Sequence, residues 1–162
     1  MLNLLKATLS AACLIALAGL YGPPAVAAES ESASTAPASE DPNYAACKLA
    51  IAASDWNAAQ AALGKAVASD PGNANAQNLL AYAYRKLGSL DMAFKHYNEA
   101  LRLDPKHLGA HEYIGEAYLM AGNPAKAEEH LAALDRLCFF GCEEYRTLKK
   151  AVADYKQKSG AK

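Results

Sequence analysis

Large and small apolar side chains recur along residues 74–105 in a fixed order: Leu80, Ala81, Tyr84, Ala93, Tyr97, Ala100, then the breaker Pro105. A step of 34 residues forward lands on Ile114, Gly115, Tyr118, Ala127, Leu131, Leu134 and Phe139. The same step backward lands on Ala46, Cys47, Ala50, Ala59, Leu63, Ala66 and Pro71. Big falls mostly on big and small on small, Ala46, Ala50 and Leu134 being the exceptions. Within each copy the apolar positions have helical spacing, interrupted midway by a stop and a cap. Such a period predicts stacked helical hairpins, an all-α solenoid.

The punctuation sets the elements. Asp41-Pro42 caps and starts a first helix to about Ala53, and Asp55 caps a second over Trp56 to Ala68. Asp70-Pro71-Gly72 breaks the chain, and Asn73 caps a third helix to about Leu87. Gly88 ends that helix and Ser89 caps the fourth, to Leu103. After Asp104-Pro105 a fifth spans Leu108 to Met120. Gly122-Asn123-Pro124 stops it and starts a sixth, ending near Leu137. A last helix over 142–157 has Tyr145, Leu148, Val152 and Tyr155 on one stripe, with Glu143 and Glu144 early and its lysines late, as the helix dipole favours. In this pattern the small residues Ala81, Gly115, Ala59, Ala93 and Ala127 mark close helix crossings, and Leu80, Tyr84 and Tyr97 fill the space beside them.

The residues Leu80-Ala81, Tyr84, Ala93, Tyr97, Ala100 and Pro105 closely resemble a tetratricopeptide repeat (TPR). The resemblance extends over 40–141, in copies at 40–73, 74–107 and 108–141, so the domain is taken as 41–158 with 142–157 as its capping helix. It implies a solenoid that buries its faces only by stacking, and a general role in protein binding. It names no partner.

Residues 1–28 read differently. Lys6 precedes an uncharged apolar run, Ala7 to Leu20, then Pro23-Pro24 and the small residues Ala25-Val26-Ala27-Ala28. This predicts a secretory signal peptide, cleaved after Ala27 or Ala28, and a periplasmic or secreted protein without stable membrane insertion afterwards. A retained anchor is the rival reading, disfavoured by the shortness of the run. Residues 29–40 are Ser, Ala, Glu, Thr and Pro, a flexible leader. With 16 basic and 17 acidic side chains the chain carries −1, and loss of Lys6 takes it to −2. That balance gives no support to nucleic-acid binding. A monomer is expected.

In stacked hairpins the first helix of each pair lines the concave face. Tyr44 and Lys48, then Asn75, Asn78, Tyr82 and Arg85, then Glu112, Tyr113 and Glu116 fall on that face in the three copies. Amides can pair with an extended backbone, tyrosines give rigid contact area, and charges set orientation. These nine residues are the expected peptide-binding groove. Some TPR modules grip a C-terminal carboxylate with basic and amide groups. Glu112 and Glu116 depart from that pattern, and acids at one end with Lys48 and Arg85 at the other suggest a polar or zwitterionic segment.

Cys138 and Cys142 bracket Phe139-Phe140-Gly141 where the other copies have a proline turn. A structural disulfide is the first reading for an exported chain, with at least one phenylalanine packed under the last helix. Copper or another soft metal, or thiol redox chemistry, are the alternatives. His107, His111 and His130 are poorly placed as further ligands. Cys47 has the phase of Ala81 and Gly115 and reads as a small buried residue. No catalytic triad order, phosphate loop or paired acids in a cleft is present, so neither enzyme activity nor a cofactor is expected. A structural subunit of an envelope assembly is the remaining reading.

Overall fold

A computed structural model describes the backbone of residues 42–160 and, from Ala46 onward, the side chains. The signal peptide and leader expected at 1–40, and the side chain of Tyr44, lie outside the described residues. Seven helices follow one another: α1 Pro42–Ala52, α2 Trp56–Ser69, α3 Ala74–Lys86, α4 Leu90–Leu103, α5 Leu108–Met120, α6 Pro124–Leu137 and α7 Glu143–Gly160. They agree with the spans expected from the sequence to within a few residues. Among the described residues no helix is long and apolar enough to cross a membrane.

The period is visible in the backbone hydrogen bonds. At the end of the first helix in each copy, the amides of Asp55, Ser89 and Asn123 reach back to the carbonyls of Ala50, Tyr84 and Tyr118 at 2.9, 2.9 and 2.8 Å. This six-to-one bond needs a left-handed residue just before it. Gly88 and Gly122 supply it with φ of 82° and 74°, and in the first copy Ser54 does so at 57°. Each reaching residue is then the N-cap of the next helix. The Asp55 and Asn123 side chains accept from the amides of Ala58 and Lys126. Ser89 stands at the same position but makes no side-chain cap bond, contrary to its expected role.

The second helices also end alike. Asp70, Asp104 and Cys138 are C-caps, with amides bonded to Ala66, Ala100 and Leu134. The two aspartates fold back locally, accepting from the amides of Gly72 and Lys106. In the third copy Cys138 stands in the aspartate's place, and its sulfur lies 2.05 Å from that of Cys142.

The core falls into three clusters, one per unit, each including side chains from the next unit's first helix. Cys47, Ala59 and Leu63 pack with Leu80 and Ala83. Ala81, Ala93 and Tyr97 pack with Ile114 and Ala117. Ala127 and Leu134 pack with Leu148 and Val152 of α7. Since Leu148 is 34 residues after Ile114, α7 occupies the place of a fourth unit's first helix and closes the stack. The crossings are close where the sequence calls for small residues. A Cβ added to Gly115 would stand 2.6 Å from Leu148 Cδ2. Ala93 is fully buried and Lys95 exposed. Ala93→Leu should therefore cost about 1–3 kcal/mol by overfilling its crossing, and Lys95→Ala less than about 0.5 kcal/mol. Urea denaturation of both variants checks the order.

One expectation about the turn fails. Phe139 and Phe140 are 90% and 95% exposed, packed on each other rather than under α7. The period explains it: position 139 has the phase of Pro71 and Pro105, which are exposed turn tips in the other copies.

Candidate functional site

Because α3 and α5 are neighbouring first helices, side chains on their facing sides meet. Tyr82 and Tyr113 do so, with ring centroids 4.9 Å apart and planes tilted by 34°. The Arg85 guanidinium lies 5.1 Å from the Tyr82 ring and 5.6 Å from the Tyr113 ring. Its Nη1 donates to Glu116 Oε2 at 2.6 Å. Trp56 extends the row from the start of α2, edge-on to Tyr82 at 5.4 Å, and Lys86 Nζ lies 5.1 Å over the indole. A half-buried aromatic strip therefore runs Trp56, Tyr82, Tyr113, underpinned by an ion pair.

The nine groove candidates divide accordingly. Tyr82, Arg85, Tyr113 and Glu116 form one contact group. Arg85, however, is only 9% exposed and is a structural strut rather than a free cation. Its charge is matched inside the protein, so the expected polarity, basic at one end and acidic at the other, does not hold for Arg85. Asn78 is also buried, with Oδ1 unpartnered and Nδ2 against Gly109, so it packs between α3 and α5. Asn75 and Lys48 are exposed, on α3 and α1. Beneath the strip, burial pushes the Tyr97 phenol well up from its ordinary range, with its hydroxyl enclosed near Arg85.

Beyond Tyr113 the face turns acidic. Glu112 and Tyr113, with Glu143, Glu144 and Thr147 from α7, line a cavity of about 280 Å³. Burial pushes the Glu112 carboxyl up to about 7, and the nearby carboxylates of Glu116 and Glu144 add to the shift. The first turn of α7, a dipole-suited start in sequence terms, thus also brings negative charge to this cavity. A carboxyl raised in the folded state stabilises the protein below its unfolded value of 4.5, and that stability is lost as pH rises towards 7. Glu112→Gln should then leave stability unchanged at pH 4. Above pH 7 it should raise stability by about 1 kcal/mol, the shift being discounted because the group is half in solvent. Denaturation across the pH range tests both ends.

A second polar arrangement, on the other side of the repeats, escaped sequence reasoning. His96 Nδ1 pairs with Gln77 Oε1 at 2.8 Å, while Gln77 Nε2 donates to the Pro71 carbonyl and the His96 ring stacks on Tyr84. One period later, His130 Nδ1 meets His111 Nδ1 at 3.0 Å, His111 Nε2 meets the Pro105 carbonyl, and His130 stacks on Tyr118. The link between Pro105 and His130 makes His111 the counterpart of Gln77. Burial, then His111, lowers the His130 imidazole to about 4, so it stays neutral between its partners. These side chains tie each unit to its own second helix. His107, in the connection before α5, is the N-cap of that helix, its Nδ1 accepting from the Ala110 amide. Among the described residues no three His, Cys, Asp or Glu side chains come together as a metal set.

Comparison with known proteins agrees with this architecture. Two models of the tetratricopeptide repeat family match residues 44–107 and 86–152, together spanning the helices from α1 into α7. No curated protein matches the chain. Among solved structures, the TPR2B domain of yeast Sti1 in its Hsp70-peptide complex is 25% identical with a TM-score of 0.66, over 72% of this chain and 95% of that one. The Sgt2 TPR domain from Aspergillus fumigatus is 21% identical with a TM-score of 0.65, over 74% of this chain and 78% of that one. The first TPR of Spaghetti (RPAP3), bound to the HSP90 peptide SRMEEVD, is 19% identical with a TM-score of 0.60, over 72% and 88%.

Proposed function

The chain belongs to the tetratricopeptide repeat family, and from that premise we propose that it is an exported protein-interaction module that binds an extended polypeptide segment along the Trp56–Tyr82–Tyr113 strip. The observation that carries this reading is the pairing of Tyr82 with Tyr113 beside the acidic cavity. Rigid aromatic rings offer contact area at low entropic cost, and a row of them on a concave helical face suits an extended chain. One of the similar structures above holds the peptide SRMEEVD, which ends in acidic residues. Here Glu112, Glu143 and Glu144 line the cavity beside Tyr113, and their charge would repel such a segment. The segment is therefore one with lysine or arginine seated in the acidic cavity and an apolar or aromatic residue on the tyrosines.

Export rests on Lys6, the Ala7–Leu20 run and the small residues before position 29. An oxidising compartment would keep Cys138 and Cys142 joined, which suits their place between α6 and α7 and makes them structural rather than metal-handling residues. Cys47 is fully buried in the first core cluster.

Selection from a random peptide library tests the reading. Enrichment of basic residues is expected, with binding reduced about tenfold or more in Tyr82→Ala and in Glu112→Gln/Glu144→Gln, the scale of one lost desolvated contact. Equal selection by wild type and Tyr82→Ala would remove the groove. Enrichment of acidic tails would overturn the assigned charge.

A further inference from the structure

Phe139 and Phe140 sit on the tip of the α6–α7 turn, uncovered among the described residues except by each other, centroids 5.1 Å apart and edge to face. Soluble surfaces tolerate single exposed rings; two adjacent rings at full exposure on a protruding turn mark a contact surface. The turn is held at both ends. Cys138 and Cys142 have Cα atoms 5.4 Å apart and joined sulfurs, and Arg146 Nη1 donates to the Gly141 carbonyl at 3.3 Å. The rings are thus displayed in one geometry, so little conformational freedom remains to be lost on contact.

Immediately before the turn is a cleft of about 380 Å³ lined by Pro105, Lys106, His111, Ala133, Arg136 and Leu137. Lys106 and Arg136 are exposed there and make no ion pair among the described residues. Arg146 adds a third cation at the base of the loop. Asp104, which accepts from the Lys106 amide, and Asp135 are the acids beside them. Glu143 and Glu144, although close in sequence to the turn, line the groove cavity, which shares no residue with this cleft. The cleft itself is thus lined by two cations and no acid, whereas three acids line the other cavity.

We propose that this edge docks on an anionic phospholipid surface, with Phe139 and Phe140 entering the interfacial layer while Lys106 and Arg136 meet headgroup phosphates. A protruding aromatic pair needs either a matching cavity or a deformable apolar medium. The cations of the adjoining cleft favour the membrane, whose anionic surface attracts each nearby lysine or arginine. Docking of this kind is reversible and salt-sensitive, because neither two rings nor two or three cations suffice alone. It would leave the acidic groove free for its polypeptide.

The test uses the chain from Glu29 onward, as the proposed cleavage leaves it, on vesicles of phosphatidylcholine, alone or mixed equally with phosphatidylglycerol. Phe140→Trp reports on the loop itself, read as the difference from the parent spectrum, which contains only Trp56. On mixed vesicles the new emission should shift to the blue and be quenched by brominated lipid, and added salt should reverse both changes. On neutral vesicles the shift should be small. Phe139→Ser/Phe140→Ser should weaken vesicle binding about tenfold or more, as loss of two apolar rings implies, and Lys106→Glu/Arg136→Glu should abolish the preference for anionic lipid. A reporter indole that stays in water while the chain floats with the vesicles overturns the proposal. So does equal flotation of parent and serine variant. Loss of a protein partner by the serine variant, with the reporter indole unquenched, would assign the rings to a protein cavity instead.

Discussion

Leu148→Ala should lower the free energy of unfolding by about 2–5 kcal/mol, the usual range for emptying a fully buried leucine site. Leu148 is completely enclosed, lying on Gly115 where α7 crosses α5, with Ala127, Leu134 and Val152 completing the cluster. Two consequences distinguish this site from an ordinary core position. First, a stack of units is held by nearest-neighbour interfaces, so the loss acts on the last interface before any other. Amide exchange should accelerate first in α7 and then in α5 and α6, while α1 to α4 keep their protection. Second, Gly115 is small because Leu148 is large. An added Cβ would stand within 2.8 Å of both Leu148 methyl carbons, so Gly115→Ala should be destabilising alone and tolerated, or even favourable, beside Leu148→Ala. The double-mutant cycle should thus show clear coupling. Additive effects, or a Leu148→Ala cost below about 0.5 kcal/mol, would contradict the assigned crossing.

The helices and their phase are legible in the sequence because they depend on local chemistry. Caps such as Asp55, Asn73 and Asn123, the stops at Gly88 and Gly122, and the small residues at crossings all act within a few positions of themselves. Gly115 and Ala93 can be placed from their phase alone. The site is less legible because its character depends on which side chains meet across helices. Arg85 and Glu116 are both expected on the concave side, but only the packing of α3 on α5 reveals that they satisfy each other. Trp56 begins a second helix, which gives no reason to place it in the groove, yet the turn sets its ring on Tyr82. The His111–His130 pair is invisible as histidine chemistry; its signal is the period itself, since Gln77 and His96 stand at the same positions one copy earlier. The phenylalanines mislead for the opposite reason. Their bulk suggests burial, while their phase, shared with exposed prolines, carries the correct answer.

Arg85→Ala should cost about 3–5 kcal/mol, more than the loss of any exposed groove residue, because it leaves Glu116 facing a poorly hydrated interior. The carboxylate is three-quarters buried and takes its 2.6 Å contact from this guanidinium. Tyr97 and Tyr113 nearby cannot replace a cation. Glu116→Ala should be damaging for the same reason seen from the other side, since Arg85 Nε already has no partner and the buried guanidinium would lose its carboxylate as well. Arg85→Met/Glu116→Leu removes both charges while keeping comparable volume. It should recover most of the loss and could equal the parent, because a buried pair must first offset the desolvation of two ions. The double variant should nevertheless bind the polypeptide segment less well, since Tyr82 and Tyr113 lose the cation that lies near both rings. Stability and binding would then separate: restored melting with weakened binding is the expected result. If the double variant were as unstable as Arg85→Ala, lost packing rather than an unpaired charge would be the cause. If it bound as tightly as the parent, the ion pair would have no part in shaping the tyrosine strip.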